Sequence, residues 1–380
     1  MNSSNVIEEF DKATSRFLAG LETRLGGEKA GTGGKIQIDS LSGADVNVSD
    51  LMLRYTTDLI YSWFYRQTET VDYVCERDPH TTFVKESING SRHPFVEVSM
   101  TLPLLRPIVR ALMNHFHVFG KMKSKLLESI KQQTALNLQA RQEMAQAKEA
   151  GREFDPENFK LSDGRVFKHG LIDGFVDSYH NCKVTTREYL HTSMFFVQAG
   201  IETLADVLSE MLKYLGTNES VQEKLRESIL KDGIESEYLN WCINETLRLT
   251  SPISINVRRA ERDIEVEDGV VPAGTLILAP TYAIHRLPEL WGGDANQFRP
   301  ERWEHANKFH PAQFMPFGVG PRMCPGKELA LLVVRKFAQI LLTRYKLERC
   351  AKTSDSPLFE APLFVYRVPE VPVYLKLSRL

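Results

Sequence analysis

The chain lacks the marks of several protein classes. Its five cysteines, Cys75, Cys182, Cys242, Cys324 and Cys350, are odd in number, widely spaced and without a C-x-x-C pair, which excludes a regular disulfide framework and points to a reducing compartment. HFH at 115–117 and HNC at 180–182 each bring two possible ligands together, but no second pair lies at zinc-finger distance. With 47 basic against 49 acidic residues, there is no basic excess to bind a polyanion. No apolar run is long enough for a membrane span or a signal peptide, and the opening MNSSNVIEEFDKATSRFL is acidic early, so the chain by itself reads as soluble and cytoplasmic. No internal repeat is visible.

What is present is a globular composition, 42% hydrophobic over 380 residues, enough for a substantial core. Helical periodicity covers segments near 5–24, 48–66, 118–149, 170–181, 186–215, 218–231 and 237–249. Strand signals are short and late: INVRRA, DIEVE, TLILAP, LFVYRV and VPVYLKLS, with VPAG as a turn. The fold class expected is mainly α with a small β portion. Residues 118–165 read as an exposed helical arm followed by a loop, and Trp291 to Pro316 as an ordered irregular connection.

FGVGPRMCPG, residues 317–326, crowds glycine, proline and one arginine around Cys324, then enters the helix-like KELALLVVRKFAQILL. A cysteine directly before a helix start meets backbone N–H groups, which lowers a thiol pKa and suits a thiolate nucleophile or metal ligand. Glycines 318, 320 and 326 let the backbone approach something flat and bulky, and Arg322 supplies a cation for a carboxylate.

The spacing Phe317, Gly320, Arg322, Cys324, Gly326 resembles F-x-x-G-x-R-x-C-x-G, the haem-ligand loop of the cytochrome P450 family, at every fixed position. The resemblance implies haem b with Cys324 as axial thiolate, Phe317 near the sulfur, Arg322 on a propionate, and amides around Gly326 on the sulfur. Further matches follow the family's order. NETLRL sets Glu245 and Arg248 three apart on one helix face; alone that spacing reads as a surface ion pair. FRPERW, residues 298–303, resembles the P-E-R-F stretch with Trp303 in place of Phe, and implies that Arg302 joins Glu245 and Arg248 in a buried structural network. FFVQAGIETLADVL, residues 195–208, resembles the oxygen-binding segment of the long central helix, here 186–215. There Ala199 and Gly200 would leave space beside the cofactor, and Glu202 and Thr203 would relay protons; Leu204 departs from a second threonine. Without the other motifs, Ala199 and Gly200 read as a small-residue helix crossing. Arg259 falls where the family carries a second propionate-binding arginine, with Arg258 as the alternative register, and His285 lies in a stretch where a histidine supports the haem surroundings.

The resemblance runs from near residue 5 to the C-terminus, implying a single cytochrome P450 domain over 1–380 with the N-terminal part of the family fold missing: the anchor, first strands and the helix bearing W-x-x-x-R. One wall of the haem pocket is then absent. The activity implied is monooxygenation of an apolar small molecule with dioxygen and electrons from an NADPH-dependent diflavin reductase, docked at Lys327, Arg335 and Lys336, with the full-length protein at the endoplasmic reticulum membrane. The alternative is a truncated, non-catalytic paralogue that binds haem weakly or not at all.

Overall fold

The computed structural model describes residues 3–25, 45–65, 120–156, 158–168, 173–174, 176, 181, 184–353 and 372–380. The elements in order are α1 (Ser3–Leu25), β1 (Asp45–Asn47), α2 (Val48–Tyr65), α3 (Gly120–Glu149), β2 (Asn158–Lys160), β3 (Val166–Lys168), α4 (Thr186–Thr217), α5 (Glu219–Asp232), α6 (Glu237–Thr250), β4 (Asn256–Arg259), β5 (Ile264–Val266), β6 (Gly269–Val271), β7 (Leu276–Ala279), α7 (Thr281–Ile284), α8 (Pro288–Trp291), α9 (Lys327–Leu342), β8 (Tyr345–Arg349) and β9 (Tyr374–Arg379). The expected mainly α architecture with small sheets is what forms. LFVYRV and most of 170–181 lie outside the described residues. The chain groups into two compact units, one comprising residues 1–34 and 53–202, the other 35–52 and 203–380.

In the first unit, α1 buries Phe10, Ala13, Thr14, Phe17, Leu18 and Leu21, the three-and-four spacing of one helix face. That face meets α2: the Phe17 and Tyr55 rings pack edge to face at 5.3 Å, and Arg16 makes two 2.8 Å hydrogen bonds to the buried Asp58. Pairing the carboxylate with a two-pronged donor is what allows it to be buried. α3 departs from expectation. It is not a solvated arm: Ala140 and Ala147, with Leu136 and Met144 beside them, pack on Phe159, Leu161 and Phe167 of the β2–β3 hairpin, which occupies the stretch read as loop.

In the second unit, α9 buries Val333, Val334, Phe337, Ala338, Leu341 and Leu342, a two-residue-wide stripe repeating every four. The three-stranded antiparallel sheet runs in the order β1, β9, β8. Gln222 of α5 ties that sheet to the helices, because its amide donates to the Leu347 carbonyl at 2.8 Å and accepts from the Leu347 N–H at 2.9 Å. α6 starts at an N-cap, Ser236, whose hydroxyl accepts from the Leu239 N–H at 3.0 Å. It ends at Ser251, whose backbone is left-handed with φ +38°.

Candidate functional site

The cysteine loop is built by two glycines in conformations that residues with a Cβ avoid. Gly318 (φ +71°) and Gly320 (φ +73°) turn the chain back, so that the Cys324 N–H donates to the Phe317 carbonyl at 2.9 Å and closes the loop. Cys324 emerges exposed, flanked by exposed Val319 and Met323. Arg322 is exposed and has no hydrogen-bond or ion-pair partner among the described residues. Phe317 is half-buried. Around Gly326 the Lys327 N–H is directed at the Cys324 carbonyl, 3.4 Å away, and no amide donates to the sulfur among the described residues. A Cβ on Gly326 would stand 3.9 Å from Cys324 Sγ, an ordinary contact, so this glycine leaves room beside the sulfur without being forced by it.

The β4–β7 ladder puts the two arginines on opposite faces. Side chains alternate along a strand, so Asn256 and Arg258 share one face, and Val257 and Arg259 the other. The Asn256 face meets the cysteine loop, its Oδ1 lying 3.6 Å from where a Cβ would stand on Gly318. Arg259 is on the opposite face and spends its guanidinium on the Gly274 carbonyl at 2.8 Å. Arg258, bonded to its neighbouring Val257 carbonyl at 2.9 Å, is the exposed arginine on the loop side. Of the two registers open in the sequence, Arg259 and Arg258, the ladder thus puts Arg258 on the loop side.

Behind the loop, Glu245, Arg248 and Arg302 come together, fully or almost fully buried. Glu245 Oε1 accepts from Arg248 Nη2 at 2.8 Å, Arg302 Nε at 2.8 Å and the Arg299 N–H at 2.9 Å. Its Oε2 accepts from Arg248 Nε at 2.9 Å and the Trp303 indole at 3.0 Å. Arg248 uses its remaining donors on the carbonyls of His285, Ala295 and Gln297. The surface-pair reading of E-x-x-R thus gives way to a cluster in which every Arg248 N–H is satisfied. Trp303, the departure from phenylalanine, adds a donor that phenylalanine cannot supply. It also packs with Trp291, Phe309 and Phe314 in an aromatic cluster under the connection from Trp291 to Pro316.

On α4, Ala199, Glu202 and Thr203 are half-buried. At Gly200 a Cβ would stand 2.9 Å from Ile60 Cδ1 of α2, so its lack of a side chain also serves the α2–α4 crossing. Sequence reasoning missed Trp303 as a donor and Ser251 as the partner of His285.

A family model described as "Cytochrome P450" matches residues 35–377. The chain belongs to the cytochrome P450 family. This P450 is 27% identical over 366 residues to cytochrome P450 3A28 of Bos taurus, covering 88% of this chain and 64% of that protein. It is 29% identical over 362 residues to cytochrome P450 3A6 of Oryctolagus cuniculus, covering 88% of this chain and 65% of that protein. With cytochrome P450 3A40 of Oryzias latipes it shares 34% identity over 209 residues, 51% of this chain and 41% of that protein. The chain spans less than two thirds of the length of these relatives. P450 membership implies haem with a cysteine thiolate. The donor set fits: an exposed soft sulfur, apolar flanks and two exposed arginines. Among the described residues no helix is long and apolar enough to cross a membrane.

Proposed function

We propose that this P450 is a haem-thiolate monooxygenase that inserts one atom of dioxygen into a C–H bond of an apolar substrate. The second atom leaves as water, with two electrons from NADPH through a diflavin reductase and two protons. The observation that carries this reading is the exposed Cys324 thiol, presented by a loop closed on Phe317 and flanked by apolar side chains. Haem b supplies the dioxygen chemistry when bound, tuned by its thiolate ligand. Cys324 would hold the iron, and Arg322 and Arg258, the alternative register to Arg259, would take the propionates as charge-assisted pairs. Glu202 and Thr203 hold and pass protons on α4. The Glu245 cluster keeps the loop in place.

The reductase would dock at Lys327, Arg335 and Lys336, whose charges suit an acidic redox protein; Arg335 keeps its charge while its Nε donates to Asn240 Oδ1 at 2.8 Å, and Lys327 lies 3.8 Å from Glu328. The full-length protein is assigned to the endoplasmic reticulum membrane by its family resemblance. The test is turnover of an alkylbenzene under isotopically labelled dioxygen with reductase and NADPH. Label in the alcohol, and a Thr203→Ala variant that consumes NADPH with hydrogen peroxide in place of alcohol, is the expected result. Unlabelled product, or an unchanged Thr203→Ala yield, overturns the assignment.

A further inference from the structure

His285 follows α7 and is fully buried, with both ring nitrogens engaged. The Met315 backbone N–H donates to Nε2 at 3.0 Å, and because an amide can only donate, Nε2 carries no hydrogen. Nδ1 therefore bears it and donates to Ser251 Oγ at 2.8 Å, and the Ser251 hydroxyl donates onward to the Leu247 carbonyl at 3.3 Å. The His285 carbonyl accepts from Arg248 Nη1 at 2.7 Å. One residue is thus bonded on one side to the ion cluster and on the other to the chain two positions before Phe317. There the next turn is closed by the Gly318 N–H on the Met315 carbonyl at 3.0 Å.

We infer that His285 is a positioning residue for the cysteine loop: as the neutral Nδ1–H tautomer it fixes the Met315 amide, and with it the segment presenting Cys324, to the buried Glu245–Arg248–Arg302 cluster. The groups facing the ring come from several elements. Arg248 and Ser251 belong to α6 and its cap, Arg286 is the next residue in the chain, and Phe314 and Trp291 present rings at 5.3 and 6.4 Å. The charges acting on the imidazole are thus both cations. Burial, then the Arg248 charge, pushes its pKa down to about 4 from 6.5, so Nε2 stays an acceptor at neutral pH. Protonation removes the Met315 acceptor and sets an imidazolium beside two guanidinium groups, which releases the loop. The inference rests on the haem-thiolate reading for what the loop presents, and not for how the loop is held.

The test compares His285→Gln, whose Oε1 can accept from Met315 without titrating, with His285→Phe, which offers no acceptor. Amide hydrogen exchange at Met315 is read in the whole chain and corrected for the intrinsic rate at each pH. The expected result is exchange about tenfold faster in His285→Phe, restored toward wild type in His285→Gln. In wild type the protection falls as pH drops from 6.5 toward 4, and in His285→Gln it does not. The carbon monoxide spectrum of the reduced haem-loaded protein should follow the same order, with the thiolate band persisting further into acid in His285→Gln. Met315 exchange unaffected by His285→Phe, or an acid profile identical in wild type and His285→Gln, overturns the inference. If His285→Phe does not fold, the acid profiles of the other two proteins decide. A wild type that takes up no haem refutes the haem reading while leaving the exchange result to judge this one.

Discussion

Replacing Glu245 by alanine removes the acceptor of five donors at once: Arg248 Nε and Nη2, Arg302 Nε, the Arg299 amide and the Trp303 indole. Arg248 has no solvent exposure and Arg302 almost none, so water does not replace the carboxylate, although Arg302 keeps Asp294 at 3.5 Å. Removing one partner of a buried pair leaves an uncompensated charge and costs about 4 kcal/mol, against a typical domain stability of roughly 5–15 kcal/mol. Glu245→Gln should lose nearly as much, because its amide nitrogen turns a donor toward donors. A Glu245→Leu, Arg248→Met double variant should recover part of the loss, since the orphaned guanidinium goes with its partner. Urea unfolding followed by tryptophan fluorescence measures all three, and Trp303 reports from within the site. A loss below about 1 kcal/mol for Glu245→Ala, or a double variant as unstable as the sum of the singles, would mean that the carboxylate does not hold the buried guanidinium groups.

Gly200→Val should cost about 2 kcal/mol in thermal or urea melts, because the new side chain meets Ile60 at under 3 Å, and Ile60→Ala should relieve it; an unperturbed melt contradicts the crossing assignment. Arg258→Ala should weaken haem affinity about tenfold in a titration of the apoprotein, while Arg259→Ala, which breaks a bond to Gly274, should leave it near wild type. The folded-state pKa of His285 lies below its unfolded value, so the unfolded chain binds the extra proton between pH 6.5 and 4. Stability from this group is complete above pH 6.5 and is lost as pH falls, by about 3 kcal/mol in all, and urea midpoints of wild type against His285→Gln across that window measure it.

The long helices were legible in the sequence because their apolar positions repeat at helical spacing, as Phe10, Ala13, Phe17 and Leu21 do, and because Ser236 and the glycine-proline groups punctuate them. The cysteine loop was legible because everything that shapes it lies within ten residues. The β2–β3 hairpin escaped because three-residue strands show no alternation, although Asp163-Gly164 between FKL and VFK is a hairpin signal. The choice between Arg258 and Arg259 could not be read because a slip of one residue exchanges the two faces of a strand, and only the ladder with β7 fixes the register. That a Cβ on Gly200 would press on Ile60 was not legible, because Ile60 lies on a helix far away in sequence. His285 depends on Ser251 and Met315, 34 and 30 positions away, and Trp303 on Glu245, 58 away; such partners leave no local trace.

Whether the loop presents Cys324 as a thiolate to haem iron is read from the absorption spectrum of the haem-reconstituted, reduced chain under carbon monoxide. A red-shifted Soret band is expected in wild type and is lost in Cys324→Ala. A wild type that binds no haem, or one whose band is unshifted and indistinguishable from that of Cys324→Ala, would contradict thiolate ligation.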